Sequence, residues 1–433
     1  MKKIGCILVL LALVIALQAQ THTRVFSEQI RTLRVERMFL LLEDGVVDGS
    51  NPDNTLHISF DEMSHDLHFY TYTVRHMAAD YNRESDITTG EYIRGFTTQD
   101  ITAYEHSINS SREYTHYSFD FPNADMTLTK SGNYRLSVYE DGDPSKRVAE
   151  VDLCVVEPLA RLDTRVRYNT DIEFNGRFQQ VDIDVDLKQA GISYQPAEMQ
   201  VRVTQNNRLD NMVVLTQPTF VEPYKLRYIN NKALIFEGGN EYHHFDAFSC
   251  FYAGTGIDRV VYELGDYHVQ LFADEITRGQ YIHQFDSDGR FIVNAERTYD
   301  ADIEAEYMWV HWVLPVEKPW FDGALYVGGE LFNNEMSLRN RMQYDAEARC
   351  YWLTALVKQG GYDYQYWFVP KIINQNSPYS VSRSEEITTK TTTQRVDGSY
   401  WQAENEYAVY IYWRPFGARY DRLIGIQTKK STL

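Results

Sequence analysis

Alternation of apolar and polar positions dominates this chain, and it is densest at Tyr344–Val369. That stretch predicts a hairpin: a strand over Cys350–Val357, a turn at Lys358-Gln359-Gly360-Gly361, and a second strand over Tyr362–Phe368. In the second strand Tyr362, Tyr364, Tyr366 and Phe368 share one face, while Asp363, Gln365 and Trp367 share the other. Each such aromatic can bury roughly 150–250 Å². An aromatic ribbon of this kind needs a facing sheet, which predicts a β-sandwich around it.

The same period-two pattern divides the chain into three units. In the first, residues 20–157, strands are predicted over Leu56–Phe60 and Leu67–Val74, joined by Asp61-Glu62-Met63-Ser64. Met77–Tyr104 is less regular, and strands resume at Tyr114–Phe119, Tyr134–Tyr139 and Val148–Val156. Several strands over ~130 residues predict an immunoglobulin-like sandwich, with a seam at Glu157-Pro158. The middle unit, 158–297, has strands at Gln180–Leu187, Met199–Thr204 and Tyr262–Phe272. Polar turns follow at Gln205-Asn206-Asn207-Arg208 and Phe236–Glu241, and Asp286-Ser287-Asp288-Gly289 reads as a hairpin tip between Tyr281–Phe285 and Arg290–Asn294.

The third unit, 298–433, opens with Tyr307–Leu314, closed by Pro315 and Pro319, and continues through Ala324–Phe332 to the aromatic hairpin. Ile372–Thr393 is polar and predicts a long exposed loop, and Tyr407–Trp413 is the unit's final core strand. Its order of aromatic strand, glycine turn and Tyr-x-Tyr strand resembles the glycan-binding E-set modules, an analogy of fold alone. The predicted class is all-β, with three tandem immunoglobulin-like or E-set-like β-sandwich domains.

Residues 1–19 break the pattern and read as a signal peptide. Lys2 and Lys3 start it, Ile4–Leu17 is the apolar run, and Ala19 precedes a cut before Gln20. The run is short for a membrane span, and no later segment approaches ~18 continuous apolar residues. Cys6 precedes most of the run, which argues against lipidation and for export in soluble form. Loss of Lys2 and Lys3 takes the formal charge from −19 to about −21. Such acidity disfavours nucleic acid and anionic lipid as partners and serves solubility. The remaining cysteines, Cys154, Cys250 and Cys350, are odd in number, widely spaced and set in apolar runs, so buried thiols are expected.

Candidate chemistry is sparse. H-E-x-x-H, G-x-x-x-x-G-K-[ST], G-x-S-x-G and C-x-x-C are all missing, and Gly254-Thr255-Gly256 is only a fragment of a dinucleotide fingerprint. Asp182, Asp184 and Asp186 suggest calcium, but they alternate with Val181, Ile183, Val185 and Leu187, which favours a solvated strand face. His243 and His244, near Glu241 and Asp246, could form half a metal site. Adjacent strand residues point to opposite faces, however, which disfavours one shared ion. His76, His116 and His311 sit in aromatic or apolar surroundings and are expected to be hydrogen-bonded structural residues. No catalytic, cofactor or metal residue is expected. Two other readings remain: a glycan binder with Trp352, Trp367 or Trp401 exposed in a row, and a hydrolase with paired carboxylates.

Several islands, in order along nearly the whole chain, match one family. They are Ser59–Glu62 with Tyr70–Tyr72, Tyr114–Tyr117, Ser131–Tyr134, Gln205–Arg208, Phe236–Glu241, Lys358–Tyr366, Glu404–Tyr407 and Arg414–Gly425. As a set they resemble the plug protein of the type IX secretion system of Bacteroidota. That family tends to show two aspartates after the phenylalanine, where this chain has Asp61 and Glu62. The resemblance implies a periplasmic, non-enzymatic sandwich protein without cofactor or small-molecule substrate. Its implied partner is the large SprA-type outer-membrane translocon barrel, whose periplasmic mouth it caps. No interface residue is carried over, because the islands look like turns and cores.

Overall fold

The computed structural model describes residues 23–37, 39–195, 197–277, 279–371 and 391–431. The expected signal segment 1–19 and most of the expected loop Ile372–Thr393 lie outside the described residues. Within them the chain is all-β, with two α-helices of four residues each, Thr89–Tyr92 and Ala301–Glu304.

The first pair of facing sheets fills residues 23–156. A six-stranded sheet, centred on Tyr70–Met77, Gly132–Glu140 and Arg147–Val156, covers a four-stranded sheet containing Ile30–Val35, Leu56–Glu62 and Thr115–Phe121. Alternation drives this: Leu56, Ile58 and Phe60 point in to meet Tyr72, Val74, Leu136 and Val138. Phe60 stacks on Tyr117 with ring centroids 5.4 Å apart. Each large apolar side chain so buried contributes about 1.5–3 kcal/mol. The linker predicted at Asp61-Glu62 is instead the end of the strand Leu56–Glu62, pairing with His116 and Thr115. Both acids are buried, so the polar pair that read as a turn is an interior feature.

The second and third pairs of sheets depart from the expected boundary at 297–298. Met199–Gln205 pairs with Arg208–Leu215 on one side and with Glu406–Trp413 on the other, and Arg422–Lys430 completes that sheet. Facing it are Arg161–Arg167, Phe178–Asp186 and Lys225–Tyr228, and the core between them joins Val181, Ile183 and Val185 to Val201, Val409 and Ile411. Tyr407–Trp413, expected to finish the third unit, therefore belongs to the middle core. Conversely, His243–Asp246, Ile257–Glu263, Asp266–Leu271 and Phe291–Val293, expected in the middle unit, sit in the third pair of sheets. Period-two patterning shows that a strand has a buried face, but not which sheet lies opposite.

The aromatic ribbon departs from expectation as well. Cys350–Lys358 pairs with Tyr307–Pro315 and Gln343–Asp345, whereas Gly360–Pro370 pairs with His243–Asp246, Phe291–Val293 and Gly323–Gly328. The two strands lie in facing sheets, joined by a corner at Gln359 rather than by a hairpin turn. Gln359 holds the corner, its backbone N–H donating to Glu306 O at 2.8 Å and its side chain to Phe248 O at 3.1 Å. A Cβ on Gly360 would stand 2.1 Å from Ile292 O, so the close pairing there requires glycine. Tyr362, Tyr364, Tyr366 and Phe368 face the core as expected, but Asp363, Gln365 and Trp367 on the other face are also buried. The region expected to hold strand Tyr281–Phe285 and its tip has no strand before Phe291–Val293.

Deleting residues 404–433 should unfold the middle sandwich, because it removes two strands of one sheet and the core residues Tyr407, Val409, Ile411 and Ile424. Limited proteolysis is expected to cut within 158–237 of the truncated protein and to spare 243–371. Protection of 158–237 would show that the middle core closes without the returning strands.

Candidate functional site

The chemistry-bearing residues gather where the three sandwiches meet. The seam between the first and third is built on Asp61, at the end of Leu56–Glu62, and Lys358, at the end of Cys350–Lys358. Lys358 Nζ lies 2.6 Å from Asp61 Oδ2, and both side chains are about 1% exposed. Asp61 also accepts from the Tyr307 hydroxyl at 2.7 Å and lies 2.6 Å from His116 Nδ1. Lys358 donates further to Asp302 O at 2.6 Å and stands 4.2 Å over the Tyr114 ring. Around this pair, Tyr114 donates to Ala305 O at 2.8 Å, Ser111 N donates to Glu306 at 2.5 Å, and Arg112 grips Asp266 through two bonds of 2.7 and 2.8 Å.

Burial alone would raise the Asp61 carboxyl, but the Lys358 ammonium and His116 outweigh it and hold Asp61 below the ordinary carboxylate range. Lys358 is lowered too, burial exceeding the attraction of Asp61. The two shifts pull the proton in opposite senses. We take the pair as ionised, because a bond of 2.6 Å reinforced by a second and third donor, Tyr307 and His116, is the geometry of a charge-assisted contact.

The first and second sandwiches meet through a small cluster of Ala79, Cys154, Val156, Tyr410, Tyr412 and Leu423. Tyr412 donates to Asn133 at 2.8 Å, Ala79 N donates to Asp421 at 2.9 Å, and Arg422 pairs with Glu157 at 2.6 Å. Gly132, with φ +130°, lets this seam close: a Cβ there would meet Asp421 O at 2.6 Å and the His76 ring at 2.7 Å. Within the second sandwich, beside its contact with the third, Asn405 donates to Gly238 O at 2.7 Å and accepts from Gln205 at 3.0 Å and Asn206 at 2.9 Å. Arg208 lies 4.5 Å over the Trp367 ring, Arg290 reaches Glu406 at 2.8 Å, and Lys430 reaches Asp288 at 2.8 Å.

His243 and His244 face opposite sides of their strand, as adjacency requires, and each is bracketed by two carboxylates. His243 lies 3.1 Å from Asp274 and 2.9 Å from Asp397, and His244 lies 2.7 Å from Asp363 and 2.8 Å from Asp246. Burial lowers His243, but Asp274 and Asp397 prevail and lift it to about 10. The bond to Asp363 is the largest influence on His244, which stands at about 9. An imidazolium donating from both nitrogens offers a metal no lone pair. The two rings are staples: His243 fastens Asp274 and Asp397 to the strand His243–Asp246, and His244 ties that strand to Asp363 of Gly360–Pro370.

The other sequence candidates also find structural partners. His76 contacts Ser85 at 2.8 Å and Ser131 O at 3.1 Å, and burial pushes it down to about 4. His311 lies 2.7 Å from Thr354 and 3.0 Å from His268. Asp184, expected on a solvated face, is buried between Arg165 and Arg227, each at 2.9 Å. Cys154, Cys250 and Cys350 form no disulfide among the described residues. Trp367 is fully buried while Trp352 is 39% exposed, so these two and the half-buried Trp401 form no exposed row. Sequence reasoning missed Lys358, Tyr307 and Arg208 as seam residues. For Lys358, at the end of an apolar strand, the signal was present, since a polar group among apolar neighbours needs a buried partner, whereas Arg208 read as part of a polar turn.

Removing one partner of the Lys358–Asp61 pair, by Lys358→Met or Asp61→Asn, should cost about 3–5 kcal/mol by denaturant unfolding. The double variant should cost clearly less than the sum of the two. Additive losses would show that the two groups do not interact. The histidines generate a separate pH dependence. Their folded values of about 10 and 9 lie above the ordinary 6.5, so their contribution is complete below pH 6.5, declines above it and is gone beyond pH 10. A His243→Gln, His244→Gln variant should lose less stability than the parent between pH 6.5 and 10. An equal loss would contradict this role.

Residues 45–157 match the family model described as type 9 secretion system plug protein, first domain. A crystal structure of a hypothetical protein from Parabacteroides merdae is 34% identical, with a TM-score of 0.87 over 95% of this chain and 100% of that one. The BSP domain of a biofilm associated protein, 10% identical over 93% of this chain and 59% of that one, has a TM-score of 0.17 and carries no weight. No curated protein matches the chain. The matched domain is the first sandwich, and every island of the resemblance contributes residues to a seam or to the cores beside it. The chain belongs to the type IX secretion system plug protein family.

Proposed function

We propose that this protein is a non-enzymatic periplasmic plug that closes the periplasmic end of the outer-membrane translocon barrel of the type IX secretion system. A pore wide enough for folded cargo leaks when idle unless a folded body larger than its aperture blocks it. That body must resist deformation, and its contact with the barrel must be reversible. The observation that carries the reading is the pairwise locking of three sandwiches through buried polar contacts, above all Lys358–Asp61. A compact chain of this length has a radius of gyration of about 20–25 Å, a bulk suited to blocking. Association with the secretion machinery follows from family membership, and the SprA-type barrel is the proposed partner. The candidate histidines and carboxylates are spent on each other, which supports a mechanical role over a chemical one.

Affinity purification of the tagged protein from native outer membranes should recover a large β-barrel partner. A strain lacking the protein should admit large fluorescent solutes to the periplasm when export is idle. Recovery of soluble partners only, together with an unchanged permeability barrier, would overturn the reading.

A further inference from the structure

The seam between the first and third sandwiches is not completely filled. A cavity of about 230 Å³ remains there, walled by Val25, Leu33, Phe291, Trp309, Phe332 and Val357. It shares Arg31, Trp309 and Leu356 with an open cleft of about 640 Å³ lined by Glu28, Ser111, Arg112 and Glu113. For scale, an apolar cavity of about 150 Å³ takes up a benzene.

Two guanidiniums stand in this cavity, Arg31 from the first sandwich and Arg339 from the third, together with one carboxylate, Glu335. Among the described residues each guanidinium makes one hydrogen bond, Arg31 to Ile30 O at 3.1 Å and Arg339 to Ser27 O at 2.7 Å, although it carries five N–H donors. Among the described residues neither is in an ion pair, and Glu28 and Glu335 act on them only at longer range. Burial lowers both, and the charge of Arg339 lowers Arg31 further. Two half-buried cations are thus held near each other, with N–H donors that no described residue takes up.

The backbone is distorted to bring this about. The pairing of Ile30–Val35 with Leu56–Glu62 slips between Arg31 and Arg34, and Thr32 sits at φ +48°. For a β-branched residue that conformation is strained and persists only where the surroundings impose it. Thr32 is imposed upon by Tyr307, whose hydroxyl lies 2.5 Å from its own. The bulge aims Arg31 and Leu33 into the seam, as bulges re-aim side chains elsewhere.

We propose that this cavity binds an anionic amphiphile, its acidic head on Arg31 and Arg339 and its apolar body against the Trp309–Phe332 wall. The wall rejects a wholly polar anion, and the paired guanidiniums disfavour a neutral or cationic ligand. The shared chemistry is a carboxylate or phosphate on a tail of about ten non-hydrogen atoms, the size the volume admits. This inference does not depend on the plugging role.

Octanoate and octyl phosphate are the probes, titrated against the full-length mature protein with 1-octanol as the uncharged control. Binding is followed calorimetrically and by tryptophan fluorescence, with Trp309→Phe assigning the signal. At least one anion should saturate the protein at least 10-fold more tightly than octanol, and the stronger of the two identifies the head group. Arg31→Gln and Arg339→Gln should each weaken that anion at least 10-fold and leave octanol unchanged. No saturation by either anion up to millimolar concentration, or equal affinity for anion and octanol in the parent protein, would overturn the proposal without reference to any variant.

Discussion

An ammonium and a carboxylate taken out of water are tolerable only while both stay in place. The Lys358–Asp61 contact joins two different sandwiches, so the penalty for separating those sandwiches falls directly on this pair. Opening the seam by even one water layer would leave the Lys358 ammonium and the Tyr307 hydroxyl without Asp61. The geometry of the whole molecule therefore depends on a local electrostatic condition. A purely apolar seam of the same area could slide, whereas this one has a fixed register.

The other two seams repeat the principle with different chemistry. Arg208 over Trp367 and the Arg290–Glu406 ion pair join the second and third sandwiches, and Tyr412 with Asn133 closes the first against the second. Because the last two strands return from beyond the third sandwich to complete the second, the chain's path also ties these units together. A body closed on itself in this way transmits load without an independent hinge between neighbours. Such rigidity suits a component whose task is to occupy space, and the paired histidines fit the same pattern by fastening loops rather than poising a base.

Much of the all-β character was legible in alternation alone, since Val181, Ile183 and Val185 or Tyr362, Tyr364 and Tyr366 each mark one buried face. Sheet partnership was not legible, because Tyr407–Trp413 has the same pattern whether it pairs with Met199–Gln205 or with a strand of the third unit. The corner at Gln359 was read as a hairpin turn for a similar reason: glycines announce a change of direction, not whether the chain stays in one sheet. Asp61 and Lys358 were misread because charged residues at strand ends are ordinarily solvated, and only the partner sandwich makes them interior. The family islands did point to the right places, although what they mark is contact between sandwiches as much as turns and cores.

Rigidity across the seams is the claim on which the mechanical reading stands, and pulsed electron–electron resonance measures it directly. Spin labels at the exposed positions Ser145, Lys188 and Glu347 report one distance for each pair of sandwiches. The account predicts three narrow, single distributions that stay the same with and without the outer-membrane partner. Broad or multiple distances in the isolated protein would contradict it.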